Sequence, residues 1–124
     1  MGKMGMLRQD AKSLALFRAI HQKMVQTDPV PFLLAARAWA ARFAQQRPED
    51  IWLSEWVIRM DAVLTSKASL DELYDLMLSS SQHAIDMRSS SPFANVLTTK
   101  ERTAALRAFE KEWSEGGWDD GRAA

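Results

Sequence analysis

"RSSSPFANVL", residues 88–97, decides how the second half of this chain folds. It interrupts a stretch that otherwise carries helical periodicity. Ser91 followed by Pro92 is a helix-start signal, because proline's missing N–H costs nothing in a first turn. "PFANVL" then predicts one short helical turn presenting Phe93, Val96 and Leu97. The stretch is either a recognition loop or a corner between two helices, and its neighbours bear on which.

Upstream, Ser69 with Glu72 has the spacing of a capping box, which starts a helix at Leu70. From Leu70 to Arg88 the side chains Leu73, Tyr74, Met77, Ala84, Ile85 and Met87 fall on one apolar arc. Asp71, Asp75, Gln82 and Asp86 fall on the other. Ser79, Ser80 and Ser81 weaken that helix and allow a break near Ser80. Downstream, Thr98 with Glu101 is a second capping box, opening a helix with a narrow stripe of Ala105, Leu106, Phe109 and Trp113.

Three more helices are expected in the first half. One covers Leu7 to Gln26, with Leu7, Leu14, Phe17, His21, Met24 and Val25 on one arc. The second runs from Val30 to Gln46, entered through Asp28 as cap and Pro29. The third runs from Pro48 to Leu64. It bears a broad stripe of Trp52, Trp56, Met60 and Val63, and a second stripe of Ile51, Ile58 and Ala62 on the opposite side. A helix with two apolar stripes is central in its domain or part of an interface. The fold class is therefore all-α: a single-domain bundle of about five helices over residues 7–114, with flexible ends at 1–6 and 115–124.

The 124 residues contain no cysteine, which excludes disulfides, thiol chemistry and cysteine-ligated metals. No apolar run reaches the ~18 residues of a membrane span, and the N-terminus lacks a signal-peptide core. A cytoplasmic protein with no membrane partner is the expectation.

Net charge is zero but unevenly placed. Residues 1–47 hold eight basic and two acidic side chains, and the remainder eight basic and fourteen acidic, so +6 faces −6. The halves either offset each other on folding or leave a basic face for nucleic acid. Arg8, Lys12, Lys23, Arg37 and Arg42 are the candidate phosphate contacts on that alternative.

Signals for chemistry are absent. His21 and His83 lack ligand partners at metal spacing. No phosphate-cradling glycine motif or serine-nucleophile motif occurs. Asp71, Glu72 and Asp75 sit in a first helical turn, where acids suit the dipole. The expectation is a non-enzymatic protein without metal or cofactor. Five tryptophans and the Ile51, Ile58 and Ala62 stripe point instead to protein partners, in a homo- or hetero-oligomer.

Arg88, Ser91, Pro92, Phe93, Ala94, Leu97, Glu101 and Arg102 together resemble a C-terminal segment of small bacterial helical proteins of the antitoxin-like or regulator-associated kind. The likeness spans about a quarter of the chain. It implies an interaction module of a bacterial accessory locus. Arg88 and Phe93 join Ile51, Ile58 and Ala62 as candidate partner contacts, with Phe93 as a corner wedge in the alternative.

Overall fold

The computed structural model describes residues 5–121. Among these, every regular element is an α-helix: α1 (Arg8–Gln26), α2 (Pro29–Gln46), α3 (Ile51–Leu64), α4 (Leu70–Leu78), α5 (Gln82–Ser89) and α6 (Thr99–Ser114). None is long and apolar enough to cross a membrane. The described residues form an all-helical fold, as the periodicity predicts, with six helices among them where about five were expected.

The extra helix comes from the serine run. Ser79 is extended, and Ser81 caps a new helix by accepting a hydrogen bond from the Ala84 N–H. Serine hydroxyls compete with the helical ladder by offering local partners, and here they end α4 and start α5. Most other boundaries follow their caps. The Asp28 carboxylate accepts from the Val30 N–H to open α2. Thr98 and Glu101 form the complete reciprocal capping box of α6. At Ser69 only the serine half forms, its hydroxyl accepting from the Glu72 N–H. The start of α3 differs from expectation. Asp50, not Pro48, governs it, accepting from the Trp52 and Leu53 N–H groups.

Two apolar clusters hold the helices together. The larger gathers Phe17, Ile20 and Met24 of α1, Leu33, Ala36 and Ala40 of α2, and Trp56 and Met60 of α3, with Leu73, Met77, Met87, Phe93 and Val96. The smaller joins Met6, Ala11, Leu14 and Phe109, with Trp113 and Trp118 packed against it. α1 threads both clusters and touches α2, α4, α5 and α6. On α1, Ala11 and Ile20 are buried, whereas Val25 and the preceding N-cap residue Leu7, both expected on the apolar arc, are exposed.

Between α5 and α6 the chain turns a corner. Residues 94–96 form a non-helical turn, closed by the Val96 N–H donating to the Phe93 carbonyl. The expected short helical turn is therefore not a helix, and Phe93 and Val96 are buried. Phe93 meets Phe17 edge-on at 5.7 Å and Trp56 edge-on at 5.3 Å between ring centres. The serines before it tie down loops. The Ser90 hydroxyl donates to the Asp50 carboxylate, anchoring the corner to the cap of α3. The Ser91 hydroxyl accepts from the Phe93 N–H.

Candidate interaction surface

α3 presents its second apolar stripe to solvent. Ile51 is 62% and Ile58 66% exposed, while Trp56, Met60 and Leu53 on the opposite side are buried. Buried positions near one angle of the helix force the residues half a turn away to face outward, and here those are isoleucines. Ala62 is half-buried beside Ile58. Trp52 is half-buried too, its ring 5.7 Å from that of His83, and Trp56 is fully within the core.

Beside this stripe runs a groove of about 500 Å³ between α3 and α4. Ile58, Ala62 and Val63 make one wall, and Ala68 and Leu73 the other. Glu55, Arg59 and Glu72 stand along its length. Glu55 accepts from Arg59 Nη2 at 3.1 Å and from His83 Nε2 at 2.8 Å. Partial burial works against its charge, but the hydrogen bonds from His83 and Arg59 prevail and hold its carboxyl below the usual range. Glu72 adjoins exposed Asp71 and Asp75, so the α4 lip of the groove is acidic. The α3 wall was legible from the sequence. The α4 wall was not, because periodicity places residues on one helix and not across two.

Arg88 and Phe93 lie inside the molecule, at 2% and 1% exposure, and offer a partner no surface. Arg88 turns back from α5 and donates through Nη1 to the Met77 and Ser79 carbonyls, at 3.1 and 2.7 Å. These carbonyls are left over where α4 ends, so the guanidinium caps a helix that finished ten residues earlier. Burial lowers its pKa to about 10, with Asp10 opposing the shift and Arg18 adding to it.

The five candidate phosphate contacts are largely engaged. Arg8 pairs with Glu110, Lys23 with Glu101 at 2.6 Å, and Arg37 with Asp61 at 2.5 Å. Each pair joins the basic half to the acidic half. The guanidinium of Arg42 lies 5.0 Å from the centre of the Phe43 ring. Lys12 is half-buried. The uneven charge of the sequence is thus spent substantially within the fold.

His21 contacts Tyr74 edge-on at 4.5 Å. Among the described residues, no three His, Asp or Glu side chains gather where a metal could be held. At the chain ends, Met6 is buried and Trp118 stacks edge-on against Phe109 at 5.0 Å, with the Arg18 guanidinium 4.8 Å over its ring. The expectation of loose ends concerned motion; residues 1–4 and 122–124 lie outside the described residues, and the placed segments rest on the bundle. No known protein family, curated protein or solved structure matches this chain.

Proposed function

We propose that the protein is a non-enzymatic, cytoplasmic interaction module that receives an amphipathic helix of a protein partner in the α3–α4 groove. The observation that carries this reading is the pair Ile51 and Ile58, each more than 60% exposed on one stripe, with Ile58 opening into a groove of about 500 Å³. Large aliphatic side chains aligned beside a groove form the surface that an i, i+4, i+7 helix fills. The acidic lip at Asp71, Glu72 and Asp75 favours a partner helix with lysine or arginine on its flank. The resemblance around Arg88 to Arg102 supports a place in a bacterial accessory locus, with an antitoxin-like or regulatory role.

The DNA-binding alternative draws on the basic half, and the pairing of Arg8, Lys23 and Arg37 with acids leaves it weaker. Salt separates the two, since phosphate contacts weaken steeply as salt rises and an apolar groove responds little.

The test uses two surface variants. Ile58→Asp alters the groove, and Leu34→Asp alters an exposed apolar residue on α2. Tagged protein is used to capture partners at high salt, and self-association is followed by light scattering. One stoichiometric partner, or a homodimer, that survives Leu34→Asp and is lost with Ile58→Asp supports the groove. A partner indifferent to Ile58→Asp, or nucleic acid released by salt, overturns it.

A further inference from the structure

A second cavity, of about 220 Å³, lies between α1, the 91–97 corner and α6. Its floor is apolar, built from the buried side chains of Phe17, Ile20 and Phe93. Half-buried Leu16 and Leu97 form its sides, and exposed Ala94 and Arg102 stand at its mouth. Burial thus falls from floor to mouth, the gradient expected of a pocket that takes the apolar end of a molecule first.

Every polar side chain on its lining is able to donate a hydrogen bond. Ser13 and Ser91 each contribute a hydroxyl, and Arg102 a guanidinium; no carboxylate lines the cavity. Ser91 uses its oxygen to accept from the Phe93 N–H at 3.2 Å, which leaves its O–H free to donate. The Ser13 hydroxyl has no hydrogen-bond partner among the described residues, and neither does the Arg102 side chain. That is unlike Arg8 and Lys23, which pair with acids of α6. Three unfilled donors above an apolar floor select an anion with an apolar tail.

We infer that this cavity binds a small monocarboxylate of about six carbons in all, its apolar tail running into the cavity. The carboxylate is held at the mouth by Arg102 with Ser13 and Ser91, and the tail rests on Phe17, Ile20 and Phe93. The volume sets the size: 220 Å³ is the share of roughly seven liquid waters, and hexanoate has about eight heavy atoms. Ser91, Phe93, Ala94 and Leu97 of the corner and Arg102 of α6 all line it, so the corner is also a pocket wall. None of these residues belongs to the α3–α4 groove, and the two sites stand or fall separately.

The experiment is a titration of methyl-labelled protein with hexanoate, followed by NMR at Leu16, Ile20 and Leu97, with hexanol and hexylammonium as matched tails lacking the anion. Saturable shifts at those methyls with hexanoate, weaker with hexanol and absent with hexylammonium, are expected. Arg102→Gln should weaken hexanoate by about fivefold to tenfold, the range of one exposed charge-assisted contact, and leave hexanol unchanged. Because the Arg102 side chain makes no hydrogen bond or ion pair among the described residues, the melting temperature of Arg102→Gln should match the parent. Ala94→Phe, placed at the exposed mouth, should block both hexanoate and hexanol. No shift at these methyls at millimolar hexanoate overturns the inference, as does equal binding of hexanol and hexanoate or indifference to Arg102→Gln.

Discussion

Phe93 packs edge-on against both rings of the stacked Phe17–Trp56 pair, and Trp56 is itself fixed by donating its indole N–H to the Met87 carbonyl at 2.7 Å. One side chain therefore joins α1, α3 and the corner. Removing its ring leaves a void that these partners cannot close without losing edge-on contacts. Phe93→Ala should lower stability by about 3–5 kcal/mol, read as a shift in the denaturation midpoint with an unchanged slope. A change near zero would show that the corner collapses freely. The sequence presented Phe93 as either wedge or recognition residue, since an aromatic after Ser-Pro serves both. Arg88 was harder to read. A cation at a helix end ordinarily meets water, and nothing local to residues 86–90 tells that this one folds back onto carbonyls of α4. Burial of arginine depends on a partner distant in sequence, which single-helix periodicity does not encode.

At the scale of elements, caps were the most readable features and loops the least. Asp28, Ser69 and Thr98 each act where their side-chain chemistry places them. The α3–α4 turn holds a surprise in Ser66, whose φ of 61° is left-handed. It occupies the position after the α3 cap where glycine is usual, its N–H donating to Val63 and that of Lys67 to Ala62. Ser66→Gly should therefore stabilise the protein by about 0.5–1 kcal/mol, visible as a rise of a few degrees in thermal midpoint. α6 carries a pH signature. Lys23 donates to Glu101, and the Thr98 backbone and side chain add their bonds, holding that carboxyl at about 2 against an ordinary 4.5. A depressed carboxyl contributes stability that is complete above about 4.5 and lost as pH falls toward 2. Glu101→Gln should melt below the parent at neutral pH, and the difference should close as the solution is acidified through that window. A constant difference from pH 7 to pH 2 would assign the effect to packing.

Across the whole molecule, the +6 and −6 halves meet through Arg8–Glu110, Lys23–Glu101 and Arg37–Asp61. Composition showed the imbalance but not its resolution, because which cation meets which acid is settled by how α1 lies on α6 and α2 on α3. The same holds for both cavities: each is walled by more than one element, and neither is visible from any single helical projection. All-helical architecture, by contrast, was fully legible, since it rests on periodicities internal to each segment.

Around the smaller cluster, residues 5 and 6 meet 113, 116 and 118–120 at one shared cavity. The order of helices along the chain is then separable from their arrangement in space. A permutant joining the two ends through a short glycine-serine linker, and opened in the 65–68 turn between α3 and α4, should fold with native circular dichroism and cooperative melting. Failure to fold would show that this turn must be covalently continuous. Success would make the molecule a cassette: a host loop could carry it as an insert, entering and leaving at one pole, with the isoleucine stripe displayed intact.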